Sequence, residues 1–240
     1  MFKRKRPQAE IFSSFDWWNK SCFLYQMTSD RCDYIESCIN RVFGKGALAQ
    51  QEILEVGCGG GLICEELAQR KAIMVGIDPS PGALQVARLH AQRNGLGQSI
   101  YYQQGYAEAM PYADGSFSAI VCFDTLEHVQ NLQATVREVA RVLAPGGVFV
   151  FDTINRTLLA RIILIWYGEH FPSGGLVPGL HNYHDFIKPT ELHTLLTISG
   201  LQVRELKGFM PRGFAHGHFT MGPGWFMGAS YVGYATKERQ

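Results

Sequence analysis

The sequence predicts an α/β fold: a mostly parallel, seven-stranded sheet with helices on both faces. Three observations predict it. Short runs rich in Val, Ile and Phe alternate with amphipathic stretches between residues 52 and 153. A glycine cluster, EVGCGGG (55–61), follows the first of these runs. Carboxylates stand at the ends of later runs, at Asp78 and Asp124. Alternating strands and helices build parallel sheets, and open sheets of this kind bind ligands at the carboxyl ends of their strands.

Taken in order, residues 1–45 read as helical, with Ile35, Ile39 and Phe43 of YIESCINRVF on one face. EILEVG (52–57) is a buried strand and LICEELAQR (62–70) a helix. AIMVGID (72–78) is the next strand. PGALQVARLHAQRNG (81–95) is a helix with Pro81 in its first turn and Gly95 past its end. SIYYQQ (99–104) and SAIVCF (118–123) are strands. LQATVREVARVL (132–143) is an amphipathic helix closed by the turn APGG, and VFVFDT (148–153) follows as a strand. The remainder holds an apolar run, a Gly/Pro loop FPSGGLVPG (171–179), a helix from Pro189, and strands near 201–209 and 229–236. This divides the chain into an N-terminal helical extension (1–45) and one α/β domain (46–240), the latter interrupted by an insertion at about 156–185.

Composition excludes several classes. At 240 residues, 46% hydrophobic and 18% charged, the chain suits one globular core. A net charge of +1 gives no general attraction to nucleic acid. The six cysteines include no CxxC pair, so zinc-ribbon spacing is absent and reduced thiols in the cytoplasm are expected. The basic start MFKRKRPQ lacks the apolar core of a secretory signal. The run LLARIILIWY (158–167) contains Arg161 and falls short of the roughly 20 residues that a membrane span needs.

The glycine loop separates two kinds of nucleotide site. A GxGxxG pattern from Gly57 needs glycine at Leu62, and from Gly59 it needs glycine at Cys64, so the dinucleotide fingerprint fails. The shorter form, acid-x-Gly-x-Gly-x-Gly, comprises Glu55, Gly57, Gly59 and Gly61 and is associated with S-adenosylmethionine. Asp78 ends the second strand, where a carboxylate holds ribose hydroxyls. Glu55 is placed to hold the ligand's ammonium through water. Ala107 and Glu108 follow the third strand, at the adenine edge.

With FDWWNK (15–20), EVGCGGGL (55–62), LQVARLHA (84–91), LEHV (126–129), TINR (153–156), FIKPTEL (186–192) and a late GPG (222–224), the chain resembles the ubiquinone-biosynthesis O-methyltransferases. The resemblance implies a Rossmann-like class I methyltransferase fold and methyl transfer to a phenol or catechol hydroxyl of a polyprenylated ring. It implies Arg31, Gly57, Asp78 and Phe123 as S-adenosylmethionine contacts, with Phe123 where methionine is expected. It also implies a metal site of the form acid-x-x-Glu-His, which maps onto Asp124, Glu127 and His128. Asp124 departs from the usual glutamate by one methylene. A quinone-biosynthesis protein complex and a peripheral position at the inner face of the membrane are further implications.

Chemistry gives the stretch VCFDTLEHVQN (121–131) two uses. A phenol has a pKa of about 10 and is mostly protonated at neutral pH. A divalent cation (Mg²⁺, Mn²⁺, Fe²⁺ or Zn²⁺) held by Asp124, Glu127 and His128 would stabilise the phenolate. Alternatively, His128 takes the proton as general base while Glu127 orients the substrate. If a helix opens at this point, the offsets of three and four put Glu127 and His128 beside Asp124. Among the other constellations, His181, Tyr183 and His184 of GLHNYHDF offer a substrate contact, while His216 and His218 have the alternate spacing of a strand face. Segment 156–180 combines an apolar stretch, Trp166, Tyr167, Arg156 and Arg161. It suits either a membrane-surface element admitting a lipid tail or a core helix with a lid loop. Beside the quinone-pathway enzyme stand two other functions: a methyltransferase for another phenolic or lipidic metabolite, and a non-catalytic S-adenosylmethionine-binding partner.

Overall fold

The computed structural model describes residues 8–170, 177–215 and 218–239. Two helices come first among the described residues, a short α1 (Gln8–Ser13) and a long α2 (Phe23–Phe43). The alternating core follows: β1 (Glu52–Val56), α3 (Leu62–Gln69), β2 (Ile73–Asp78), α4 (Pro81–Arg93), β3 (Ile100–Gln104), β4 (Phe117–Cys122), α5 (Leu132–Val142) and β5 (Leu143–Ile154). Then come α6 (Leu158–Ala160), which continues as a wider π-helical turn over Arg161–Gly168, α7 (Pro189–Ile198), β6 (Leu201–Ala215), β7 (His218–Gly224) and β8 (Ser230–Lys237).

The strands form one sheet in the order β3-β2-β1-β4-β5-β8-β6-β7. β3 through β5 are parallel, and β8, β6 and β7 are added antiparallel. The expected seven-stranded sheet therefore has eight strands among the described residues. The extra strand, β7, pairs with the second half of β6. Pro211, Gly213, Gly222 and Pro223 break the alternation that marks a strand in sequence, and the ladder shifts register between Pro211 and Gly213.

Local chemistry sets the helix starts. Ser80 Oγ accepts from the Ala83 amide and Pro81 fills the first turn of α4. Asn131 caps α5 through the Ala134 amide. One face of the sheet is covered by α2, α3 and α4, with Ile35, Ile39, Leu67 and Leu84 buried. The other is covered by α5 and α7, through Val136, Val139, Leu192 and Leu196. The N-terminal helix α2 thus buries its Ile35 and Ile39 face in the same core as β1 and β2. Its Asp30 also accepts the Met221 amide of β7 at 2.7 Å. That bond ties the β6–β7 hairpin to α2.

Candidate active site

The turn after β1 is held by β2. Asp78 accepts the amides of Gly59 (2.9 Å) and Ser80 (2.8 Å), so a single carboxylate fixes both the glycine loop and the start of α4. Burial raises its pKa above the ordinary aspartate value. Gly57 has φ 77° and Gly59 φ 49°, the left-handed region that favours glycine. A Cβ on Gly57 would overlap the Thr125 side chain, and one on Gly59 would lie 2.3 Å from the Trp17 ring. Trp18 donates from its indole to the Gly60 carbonyl at 3.2 Å. Glu55 is buried below the loop and its Oε2 has no hydrogen-bond partner among the described residues. Burial pushes its pKa up to about 8. An orphaned carboxyl oxygen beneath a glycine cradle fits a nucleoside ligand carrying an ammonium group.

These residues open onto a cavity of about 730 Å³. Its lining includes Arg31, Glu55, Gly57, Asp78, Ala107, Glu108, Phe123 and Asp124, and also His128 and His181. Gly59 and Gly61 are not part of the lining; Tyr102 stands against Gly61 as Trp17 does against Gly59. Glu108 accepts the amides of Gln130 (2.7 Å) and Asn131 (3.2 Å), which fixes the rim ahead of α5. Phe123 is buried, with the Arg31 guanidinium 5.9 Å from its ring centre.

The expected metal ligands do not converge. No helix opens at Glu127: residues 125–128 form a turn, with the His128 amide bonded to the Thr125 carbonyl at 2.8 Å, and α5 starts only at Leu132. Asp124 has φ 48°, a left-handed backbone rare for this residue type. Both its carboxyl oxygens are taken by Arg31, at 2.6 and 2.5 Å. Arg31 also reaches Asp152 at 3.0 Å, and Asp152 accepts the Asp124 amide at 2.6 Å. Burial opposes the Arg31 charge, but Asp124 and Asp152 outweigh it and raise its pKa.

Glu127 lies behind the cavity wall. Its Oε2 accepts from Thr153 at 2.9 Å and its Oε1 is buried without a partner among the described residues. Burial, then Asp124, raises its pKa to about 7. Among the described residues, no three His, Cys, Asp or Glu side chains gather where they could hold an ion. The residues present therefore do not fit the expected divalent cation. The short Asp124 side chain is drawn to a buried guanidinium instead. For the same reason the terminal nitrogens of Arg31, expected to meet the cofactor's carboxylate, are committed to protein carboxylates.

His128 does line the cavity. Burial and His181 press its pKa down to about 4, so it is a neutral imidazole at physiological pH. The His181 ring lies 5.3 Å from it, centre to centre. Tyr183 and His184 stay outside the lining: Tyr183 packs on Arg161 and Phe186, and His184 meets Tyr183 edge-on. His216 and the side chain of His218 lie outside the described residues, as does 171–176 of the Gly/Pro loop. Sequence reasoning missed Asp152, Glu169, Phe12 and Trp17. Phe12 and Trp17 line the cavity, with Phe12 edge-on to His128 at 5.8 Å. Their signal was aromatic density ahead of α2, with Trp17 inside the FDWWNK motif.

A glycine cradle, a strand-end aspartate and a cavity running from them to two imidazoles define a class I S-adenosylmethionine-dependent methyltransferase. Residues 54–151 match the family model described as a methyltransferase domain. The fold is that of a SAM-dependent methyltransferase from Thermotoga maritima (TM-score 0.66, 20% identity, covering 95% of this chain and 99% of that one). It is also that of one from Methanosarcina mazei (TM-score 0.59, 23% identity, 79% and 93%). In sequence, the chain is 38% identical over 197 residues to the ubiquinone biosynthesis O-methyltransferase of Azoarcus sp., covering 80% of each. It is 35% identical over 201 residues to that of Actinobacillus pleuropneumoniae, covering 80% of this chain and 82% of the relative. The chain belongs to the ubiquinone biosynthesis O-methyltransferase family.

Proposed function

We propose that this enzyme transfers a methyl group from S-adenosylmethionine to a phenol or catechol hydroxyl of a polyprenylated ring in quinone biosynthesis. The observation that carries this reading is one continuous cavity. It joins the glycine loop and Asp78 to two imidazoles and to an apolar wall that includes Leu159, Ile163, Phe209 and Phe226. A ring with an aliphatic tail matches that wall. Bound S-adenosylmethionine supplies the methyl group and leaves as a neutral thioether. Asp78 and the loop would seat its ribose, and Glu55 its ammonium. Ala107, Glu108 and Phe123 would border its adenine. His128, a neutral imidazole, borders the acceptor end of the cavity and orients the ring there. No step is assigned to a divalent cation.

Turnover of labelled S-adenosylmethionine against catechols with and without a prenyl tail tests this. Label should enter the tailed ring with the higher kcat/KM; inertness toward every tailed catechol, with turnover of an unrelated phenolic metabolite, would favour the other substrate class.

The tail also suggests a lipid surface. Among the described residues no helix is long and apolar enough to cross a membrane. Yet Leu158, Ile162 and Trp166 of α6 and its continuation are exposed, while Leu159 and Ile163 of the same helix line the cavity. A helix with one edge on the cavity and another in solvent suits a peripheral membrane contact. Co-sedimentation with anionic vesicles should be lost in Ile162→Glu or Trp166→Glu, and unchanged binding would count against this segment.

A further inference from the structure

His181 enters the site from the insertion, and its surroundings differ from those of His128. Glu169, at the end of the α6 continuation, is buried with only 2% of its side chain exposed. It accepts three hydrogen bonds: from the Gly179 amide (2.6 Å), the His181 amide (2.8 Å) and the His181 ring Nδ1 (2.9 Å). Two main-chain donors fix the carboxylate in its ionised form. An ionised carboxylate only accepts, so His181 Nδ1 carries the hydrogen. The other ring nitrogen, Nε2, is then an acceptor on a side chain that lines the cavity. The ring is held between His128, at 5.3 Å, and Phe186, at 6.1 Å. The charged and titratable groups facing His181 are Glu169, Glu127 and His128.

We propose, on the basis of the O-methyl transfer set out above, that His181 is a catalytic base of this site and that Glu169 is its positioning residue. The acceptor oxygen forms its bond to the methyl carbon as the carbon–sulfur bond breaks, and the electron pair of that bond stays on sulfur. The hydroxyl proton passes to Nε2 of His181, and the resulting imidazolium is balanced by Glu169 before the proton leaves to solvent. This is the division of labour of an imidazole–carboxylate pair, in which the carboxylate fixes the tautomer and stabilises the charge that forms. His128 borders the acceptor ring. The insertion thereby supplies chemistry as well as a wall.

The competing role is a staple: the same three bonds would simply fasten residue 169 to residues 179–181. An acceptor that needs no base separates the two. With saturating cofactor, kcat is compared on a catechol and on its nitro-substituted counterpart, whose hydroxyl is already ionised near neutral pH. His181→Gln should lower kcat on the plain catechol about 100-fold or more and on the nitrocatechol less than about 10-fold. S-adenosylmethionine affinity should stay unchanged by calorimetry. Glu169→Gln, which keeps the shape of the side chain, should show the same selective loss at smaller size, and it carries the test if His181→Gln does not fold. Equal losses on both acceptors, a loss accompanied by weakened cofactor binding, or wild-type turnover in both variants would overturn the assignment alone. A wild-type enzyme inert toward every ring acceptor would overturn the proposed function and this assignment with it.

Discussion

The cofactor half of the site, β1 to α4, and the acceptor half, from the end of β4 through α6 to β7, are built by different means. The first is made of main chain: glycine turns, amides on Asp78 and a helix start, all within residues 55–83. The second is made of side chains that meet across long sequence separations. Arg31 reaches Asp124 and Asp152, Thr153 reaches Glu127, and Asp30 reaches the Met221 amide. A main-chain site tolerates few substitutions within one short motif, whereas a side-chain site can be respecified by single changes far apart. That difference suits an enzyme family with a constant donor and a variable acceptor.

The strongest challenge to this contrast is removal of Arg31. Arg31→Met leaves the buried Asp152, and the partly exposed Asp124 beside it, without their counter-charge, which should cost about 3 kcal/mol of stability. The check is chemical denaturation, and a midpoint equal to wild type would show that the acceptor half does not depend on this pairing. Next in size is Gly57→Ala. The added Cβ overlaps Thr125 and the positive φ is strained, so S-adenosylmethionine binding should weaken about 10-fold or more in calorimetry. Adding Thr125→Gly removes the overlap but not the strain, and should recover part of that loss.

Two buried groups, Glu55 in the cofactor half and His128 in the acceptor half, should also answer pH in opposite directions. Burial raises Glu55 from 4.5 to about 8, so the unfolded chain releases this proton first. Its contribution to stability is complete below about 4.5 and is lost as pH rises to about 8. Burial lowers His128 from 6.5 to about 4, so its contribution is present above about 6.5 and lost as pH falls to about 4. Thermal melts should therefore show Glu55→Gln gaining on wild type as pH rises, and His128→Gln gaining as pH falls. Parallel shifts in both variants would contradict these burial effects. The smallest expected effect is that of chelation: excess EDTA should leave turnover unchanged, because Arg31 holds the carboxylate a cation would need. A loss restored by added Mg²⁺, Mn²⁺, Fe²⁺ or Zn²⁺ would reverse that.

The same contrast explains what the sequence revealed. The strands from β1 to β5, the helices between them and the glycine turn after β1 were legible because their signals are local: period, caps and glycine spacing. β7 was not, since Gly222 and Pro223 interrupt its own period and Pro211 and Gly213 that of the β6 segment it pairs with. The fate of Asp124 was also hidden. Spacing placed it near Glu127 and His128, but a partner 93 positions away decided where its carboxylate goes. Glu169 lay in a segment with no periodic signal, and only its contacts with Gly179 and His181 mark it.

The central claim is tested most directly by incubating the purified protein with labelled S-adenosylmethionine and a polyprenyl-tailed catechol, and locating the label by mass spectrometry. One methyl group is expected on a ring oxygen, formed about 100-fold more slowly by His181→Gln and, below saturating cofactor, about 10-fold more slowly by Gly57→Ala. A methyl group on carbon or nitrogen, or no transfer to any tailed ring under conditions where the cofactor binds, would contradict it.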